Sequence, residues 1–140
     1  MSGKIAFRRR VAYEWALRCF GYDHVSDVPV RALRNAEEAV ELAQALNVPE
    51  QKMHDLVSMV YSRPVGTPAQ EVGGQMLTLT ILSCTLGLDP DECLDDELSR
   101  VLSKSREHFA KRNDEKNALG FGAQELPPRP SSPVGHTPVG

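Results

Sequence analysis

Residues 67–79 read TPAQEVGGQMLTL, a stretch that begins a long helix although it contains two adjacent glycines. A threonine followed three residues later by glutamine has the form of a capping box, and proline is favoured at the first helical position. Apolar residues continue at helical spacing, so we predict a helix over residues 68–86 with Gly73 and Gly74 inside it. A phosphate-binding loop is excluded, because it requires a preceding strand and a lysine after the glycines.

The same periodicity predicts the other elements of the chain. Three of the helices follow a cap residue and a nearby proline, with Ser26 or Asp27, Asn47 and Asp89 in the cap role. The further predicted helices span residues 4–20, 28–46, 49–62 and 90–112. No segment combines the length and the turn residues of a strand. We therefore predict an all-α fold, a four- to five-helix bundle.

The composition indicates one folded domain followed by a tail of different character. The chain has 140 residues, of which 41% are hydrophobic and 25% charged, and its net charge is −3. Such values are ordinary for a globular protein and give no support to general nucleic-acid binding. Half of the ten prolines lie after residue 126, in a segment that buries too little apolar surface to offset its ordering entropy. We predict a helical domain over residues 1–113 and a disordered tail over residues 114–140.

Several classes of site and compartment are excluded by the sequence. The three cysteines and four histidines show neither CxxC nor HExxH spacing, so no zinc site is expected. The N-terminal segment lacks the apolar run of a signal peptide, and no stretch of about 18 apolar residues predicts a membrane span. A cytoplasmic protein without membrane partners is expected.

Acidic residues mark the first candidate site. The predicted helix over residues 28–46 contains EEAVE, with Glu37, Glu38 and Glu41. Glu38 and Glu41 stand one turn apart on one side, where carboxylates suit a hard cation such as Mg²⁺. A solvated helix surface is the alternative, because Arg34 has the spacing to pair with Glu37 and Glu38. The expected core stripe of this helix lies on another face and contains Leu33, Ala36, Val40 and Ala43.

A further carboxylate, Glu71, lies in the first turns of the helix that carries the glycines. That helix is apolar around most of its circumference, so we expect it to be buried on several sides. A buried carboxylate is costly unless it is paired or binds a metal, although the helix dipole favours a negative charge at this end. This argument favours a functional role for Glu71.

The order of these segments resembles one enzyme family. LRNAEEAVELAQAL (33–46), VYSRPVGTPAQEVGGQMLTL (60–79) and LGLDPDECLDDELSRV (86–101) follow one another along the chain. They are similar to the MazG-like nucleotide pyrophosphohydrolases of the all-α NTP-pyrophosphatase superfamily, whose pattern is EExxE followed by ExxD. The resemblance covers residues 8–112 and looks closest to short phage- and prophage-encoded members with the EVGG variant of the second motif.

The resemblance implies a Mg²⁺-dependent hydrolase, with Mn²⁺ as an alternative ion, that converts a nucleoside triphosphate to the monophosphate and pyrophosphate. By the resemblance, Glu38, Glu41 and Glu71 bind the metal, and Glu37 or Glu41 accepts a proton from the attacking water. Such proteins usually form oligomers, so a homodimer or homotetramer is expected. The aspartate of ExxD is replaced by Gly74, so one expected ligand is missing.

The candidate substrate-binding residues are Arg34, Tyr61, Arg63 and Lys104. Arginine binds phosphate in a bidentate manner, and a tyrosine ring stacks on a base. Structural alternatives are open, since Tyr61 also suits a core, Arg63 a helix end and Lys104 an exposed surface. Trp15 is open in the same way, as a core residue or as a platform for a base.

Two other functions are open. A non-catalytic descendant of the same fold would bind a nucleotide or a protein, and Gly74 supports this alternative. A structural adaptor would recruit a partner through PPRPSSPVGHTP (127–138). Pyrophosphate release and the deletion of residues 114–140 distinguish the three hypotheses.

Overall fold

A computed structural model describes residues 2–122 of the chain. Over these residues the chain forms helices and no strands, which confirms the predicted all-α class. The helices are α1 (Ser2–Phe20), α2 (Tyr22–Ser26), α3 (Val28–Ala45), α4 (Glu50–Tyr61), α5 (Pro68–Leu86), α6 (Pro90–Leu102) and α7 (Arg106–Lys116), and a wider helical turn over Asn117–Phe121 follows.

Side-chain caps explain most of the helix starts. Asp27, Thr67 and Asp89 each accept a hydrogen bond from a backbone amide in the turn that follows, as predicted. The prediction for Asn47 is wrong, because α4 begins after Pro49 without a side-chain cap. Asn47 instead has a φ of 63° just after the end of α3, in the left-handed conformation that asparagine tolerates better than most residues.

The last predicted helix, residues 90–112, is two helices in the structure. α6 ends at Leu102, and the Ser105 hydroxyl accepts a hydrogen bond from the amide of His108 to start α7. This start lacks the proline that marks the other three, so its signal in the sequence is weaker. The helix α2 is also missing from the predicted set, because five residues are too few for an apolar period.

Helical structure extends past residue 113, where the disordered tail was predicted to begin. α7 continues to Lys116, and the wider turn runs to Phe121 with Gly120 at a φ of 92°. The structure therefore differs from the prediction over residues 114–121. The predicted disorder of residues 123–140 lies outside the described residues.

The core lies where α1, α6 and α7 meet. Cys19, Val101 and Phe109 are buried together, and Trp15 and Phe20 pack against them. We call α1, α2, α3, α6 and α7 the body of the molecule. The predicted stripe on α3 is not part of this core.

Two further contacts hold the body together. The Arg8 guanidinium on α1 donates two hydrogen bonds of 2.7 Å to the Asp95 carboxylate on α6. At the other end, Val25 of α2 and Val30 of α3 are both buried, and Val30 is fully enclosed. Val40, which belongs to the predicted stripe, is 45% exposed.

The remaining helices, α4 and α5, form what we call the arm (Glu50–Leu86). α4 has no buried residue, and the buried residue of α5 is Ser83. The expectation that α5 is buried on several sides is therefore wrong for a single chain. Its apolar side chains are between 58% and 62% exposed at Val72, Met76, Leu77 and Ile81. In the part of the chain that the structure describes, no helix combines the length and apolarity needed to cross a membrane.

Candidate functional site

The three glutamates of EEAVE lie on α3 in different surroundings. Glu37 is held in ion pairs, with its carboxylate 2.7 Å from Lys116 Nζ and 3.8 Å from the Arg34 guanidinium. Arg34 also lies 3.5 Å from the side-chain oxygen of Asn113, so α3 and α7 meet through polar contacts. The spacing that predicts a pair between Arg34 and Glu37 is confirmed. The predicted role of Glu37 as a proton acceptor stays a prediction.

Glu38 lines a cavity of about 590 Å³ that is bordered by α1, α3, α6 and α7. This volume lies in the range of small-molecule sites. Part of its wall is aromatic, because Trp15 meets Phe20 and Phe109 edge to face, with ring centroids 5.6 and 5.0 Å apart. Trp15 therefore packs against the core, as one of the two alternatives has it, and it also borders the cavity, while a role as a platform for a base stays a prediction.

Positively charged side chains outnumber carboxylates in the lining of this cavity. They come from three helices and are Arg31, Arg34, Arg100, Arg112 and Lys116. The carboxylates are those of Glu38 and Glu97. A concave site with this excess of positive charge attracts a polyanion.

The electrostatics of the cavity affect the carboxylate that lies in it. Partial burial raises the pKa of Glu38, and the negative charges of Glu41, Glu37 and Glu97 raise it further. The pKa of Glu97 is lowered, because Arg100 donates hydrogen bonds to its carboxylate. A carboxylate with a raised pKa is a better proton acceptor near neutral pH, so Glu38 has the more favourable chemistry of the two.

The positive charge is also apparent at His24 on α2. Burial lowers the pKa of His24, and the nearby Arg31 and Arg34 lower it further. His24 is therefore neutral over a wider pH range than an ordinary histidine, which leaves the two arginines as the local cations.

Glu41 borders a second cavity, of about 340 Å³, between α3 and the turn that follows α7. Its lining is mainly apolar and includes Val40, Leu119 and Phe121. Glu38 and Glu41 are near enough to influence one another electrostatically, but each lines a different cavity. The sequence argument that placed them on one side of the helix did not predict this division.

Glu71, the third predicted metal ligand, lies on the arm. Its carboxylate packs over Gly66, where an added Cβ atom would collide with it. One turn later, Gln75 accepts a hydrogen bond of 2.9 Å from Asn35 on α3, which brings this part of α5 near the body. Among residues 2–122, no group of three or more His, Cys, Asp or Glu side chains is arranged to hold a metal ion. The predicted ligands Glu38, Glu41 and Glu71 thus do not fit a metal site within one chain.

The other predicted substrate-binding residues lie apart from both cavities. Tyr61 is 87% exposed at the end of α4, so it is not a core aromatic residue. Arg63 lies just after α4 and contacts the sulfur of Met59 at 3.4 Å. Lys104 lies between α6 and α7 and lines neither cavity. Of the four candidates, Arg34 is the one that borders the cavity beside Glu38.

The sequence interpretation missed most of the cations of the cavity. Lys116 lies beyond the predicted end of the domain, and it meets Glu37 across 79 positions of sequence. Helical spacing in the sequence could have identified Arg31, because it precedes Arg34 by one turn on the same helix. Arg100 and Arg112 show no spacing that separates them from other surface charges.

Comparisons with known proteins leave the family of this chain open. No protein-family model matches it, and neither the curated proteins nor the solved structures contain a match.

Proposed function

We propose that this protein is a MazG-like pyrophosphohydrolase that binds a nucleoside triphosphate in the cavity beside Glu38 and releases pyrophosphate and the monophosphate. One observation carries the proposal: a glutamate of the EEAVE segment lies in a cavity whose lining is aromatic on one side and rich in positive charge. Aromatic rings suit a base, and arginine and lysine suit a phosphate chain. The resemblance of the sequence to the family supports the same conclusion.

In this proposal Glu38, in place of Glu37 or Glu41, accepts the proton of the attacking water. A water molecule attacks the α-phosphorus, the bond from that phosphorus to the bridging oxygen breaks, and pyrophosphate leaves. The raised pKa of Glu38 suits it to take the proton of the water. The cations of the cavity offset the negative charge that develops on the phosphate oxygens.

Dependence on Mg²⁺, or on Mn²⁺, is part of the proposal because the resemblance implies it. The carboxylates within one chain do not fit a three-ligand site, so we assign no step to a metal. The requirement is measured directly by running the reaction with each ion and with EDTA.

Assembly into a homodimer or homotetramer through the arm is also proposed. α5 has nineteen residues and a single charged side chain, Glu71, yet its apolar residues are exposed. Monomeric proteins rarely expose continuous apolar patches of this kind. A second copy offers the same uncharged surface, and a two-fold interface pairs a patch with itself.

A non-catalytic nucleotide-binding or protein-interaction module is the second candidate. Two observations favour it: Gly74 stands where the family pattern has an aspartate, and the remaining predicted ligands do not converge in one chain. This candidate keeps the cavity as a binding site and omits the hydrolysis.

Pyrophosphate release from a panel of NTPs and dNTPs tests the enzymatic proposal. We expect release by the full chain, and loss of at least about a hundredfold in Glu38→Gln, as for a general base. Glu14→Gln, an exposed glutamate of α1 that lines neither cavity, is the matched control and is expected to keep full activity. Gly74→Asp, which restores the family pattern, is expected to increase release.

Three other results would favour a different function. Release that never exceeds that of Glu38→Gln, for any nucleotide and ion, would remove the enzymatic proposal. Thermal stabilisation by a nucleotide without turnover would then support the binding module. Loss of partner recruitment when residues 123–140 are deleted, with the residues of the cavity unchanged, would support the adaptor hypothesis instead.

A further inference from the structure

The five cations of the cavity fall into two groups according to their partners. Arg34 and Lys116 both contact the carboxylate of Glu37. Arg100 forms a bidentate pair with Glu97, with nitrogen–oxygen distances of 2.6 and 2.8 Å. The charges of these three residues are therefore offset within the protein itself, and a ligand would have to compete for them.

Arg31 belongs to the second group. Among the described residues it has no carboxylate within ion-pair distance, and its Nε atom is enclosed without a hydrogen-bond partner. Its guanidinium carbon lies over the Phe20 ring, 5.5 Å from the ring centroid, within the distance of a cation–π contact. Burial and the charge of Arg34 lower the pKa of Arg31. The carboxylate of Asp27 offsets part of this penalty on the charged form, and an anion bound in the cavity would offset more of it.

Arg112 is the other member of the second group. It is exposed on α7 and lines the same cavity as Arg31. Within residues 2–122 its side chain makes neither a hydrogen bond nor an ion pair. One unpaired guanidinium thus comes from α3 and the other from α7, and both border one cavity.

We propose that Arg31 and Arg112 are the residues that bind the phosphate chain of the ligand, as a pair of guanidinium groups from two helices. The ligand class is a phosphate chain with at least two negative charges, either free or attached to a nucleoside. The planar fork of arginine matches phosphate oxygens in a bidentate manner, and among the described residues neither guanidinium forms an ion pair with a carboxylate. The assignment rests on the proposed function for the identity of the cavity, but it does not require hydrolysis.

The single tryptophan of the chain provides the measurement. Trp15 borders the cavity and contacts the Phe20 ring, over which the Arg31 guanidinium lies. Tryptophan fluorescence of the full chain is titrated with sodium tripolyphosphate in EDTA, and separately with a nucleoside triphosphate. We expect a saturable change with both probes, and tighter binding of the nucleotide if the aromatic wall accepts a base.

The variants are chosen to separate folding from binding. Arg112→Gln removes an exposed side chain and is expected to leave the fold intact while weakening tripolyphosphate binding about tenfold or more. Arg31→Gln is expected to have the larger effect, and Arg31→Lys an intermediate one, because lysine keeps the charge but loses the planar fork. Arg10→Gln, an exposed arginine that lines neither cavity, is the matched control. Urea unfolding of each variant verifies that it is folded.

Each result decides the assignment. Weakened binding in both folded variants, with the control unchanged, supports it, even if no substrate is ever hydrolysed. Wild-type affinity for tripolyphosphate in Arg31→Gln and Arg112→Gln overturns it, as does the absence of binding by the wild-type chain. Pyrophosphate release with an unchanged KM in both variants would also overturn it, while the proposed hydrolase would stand.

Discussion

The body and the arm both consist of helices with apolar faces, but they differ in how deeply the apolar side chains on those faces are buried. In the body, Phe109 is 7% exposed and Val101 is 6% exposed, and α1, α6 and α7 share one core. In the arm, Leu77 and Ile81 are 62% and 58% exposed although α5 is nearly free of charge. Apolar surface of this extent is normally covered. The body therefore has a core of its own, whereas the apolar face of α5 in the arm is covered by no other part of the described residues, which is why we propose assembly there.

The largest expected effect is on the body. Phe109→Ala removes a buried ring from the cluster with Cys19 and Val101, and such a change costs about 3–5 kcal/mol. We expect a loss of this size in the free energy of unfolding, measured by urea denaturation. Phe7→Ala, at a position that is 58% exposed on α1, is the control and is expected to change it by less than about 0.5 kcal/mol. Equal losses in the two variants would contradict the distinction between core and surface in the body.

The next effect is on assembly through the arm. Leu77 and Ile81 lie one turn apart on α5, and each apolar side chain buried in an interface contributes about 1.5–3 kcal/mol. The double variant Leu77→Gln and Ile81→Gln is expected to raise the dissociation constant of the oligomer at least about a hundredfold. Sedimentation equilibrium measures this constant.

Tyr22→Gln is the control for the arm variant, because Tyr22 is 70% exposed but lies in the body. The dissociation constant measured for the Tyr22→Gln oligomer is expected to equal that measured for the wild-type protein. A wild-type chain that stays monomeric at all concentrations would contradict the comparison between body and arm, since the apolar face of α5 would then be stable in water.

A smaller effect concerns the two glycines of the arm. A Cβ atom added at Gly73 or Gly74 would meet no atom within 4 Å, so alanine fits at either position in a single chain. Alanine is favoured over glycine inside a helix by about 1 kcal/mol. We therefore expect Gly73→Ala and Gly74→Ala each to stabilise the chain by about 0.5–1 kcal/mol in urea denaturation. A destabilised variant would instead indicate that a second copy packs closely against that glycine.

Local signals in the sequence were sufficient for the starts of α3, α5 and α6 and insufficient for the site. Caps at Asp27, Thr67 and Asp89 act through hydrogen bonds to the next turn, so nearby residues determine them. The contact between Glu37 and Lys116 joins positions 79 residues apart, and no periodicity reveals such a pair. EEAVE identified Glu38 as a candidate, but three of the five cations that line its cavity, Arg100, Arg112 and Lys116, come from other helices.

The exposure of α5 could not be predicted from the sequence, for a different reason. An apolar pattern predicts that a face is covered, but it does not say whether the cover comes from the same chain or from another. The argument for Glu71 depended on burial of α5, and in a single chain this premise fails, with Val72 beside it 59% exposed. A functional role for Glu71 now depends on the proposed assembly of the arm.

The smallest effect is on the pH dependence of stability, and it separates two carboxylates of the same cavity. The pKa of Glu38 is raised above its ordinary value of 4.5, so the folded chain binds this proton more tightly than the unfolded chain. The ionised form is therefore disfavoured by folding at neutral pH, and this penalty disappears as the pH falls below the ordinary value. Glu38→Gln is expected to be more stable than the wild-type chain at pH 7 and equal to it at low pH.

Glu97→Gln is expected to change the free energy of unfolding in the opposite direction, because Arg100 lowers the pKa of Glu97 and stabilises its ionised form. It is expected to lose stability at pH 7, with the loss vanishing as the pH falls through the lowered pKa. Urea denaturation of both variants between pH 3 and pH 7 measures the two differences, and the same sign in both would contradict the distinct environments of these carboxylates.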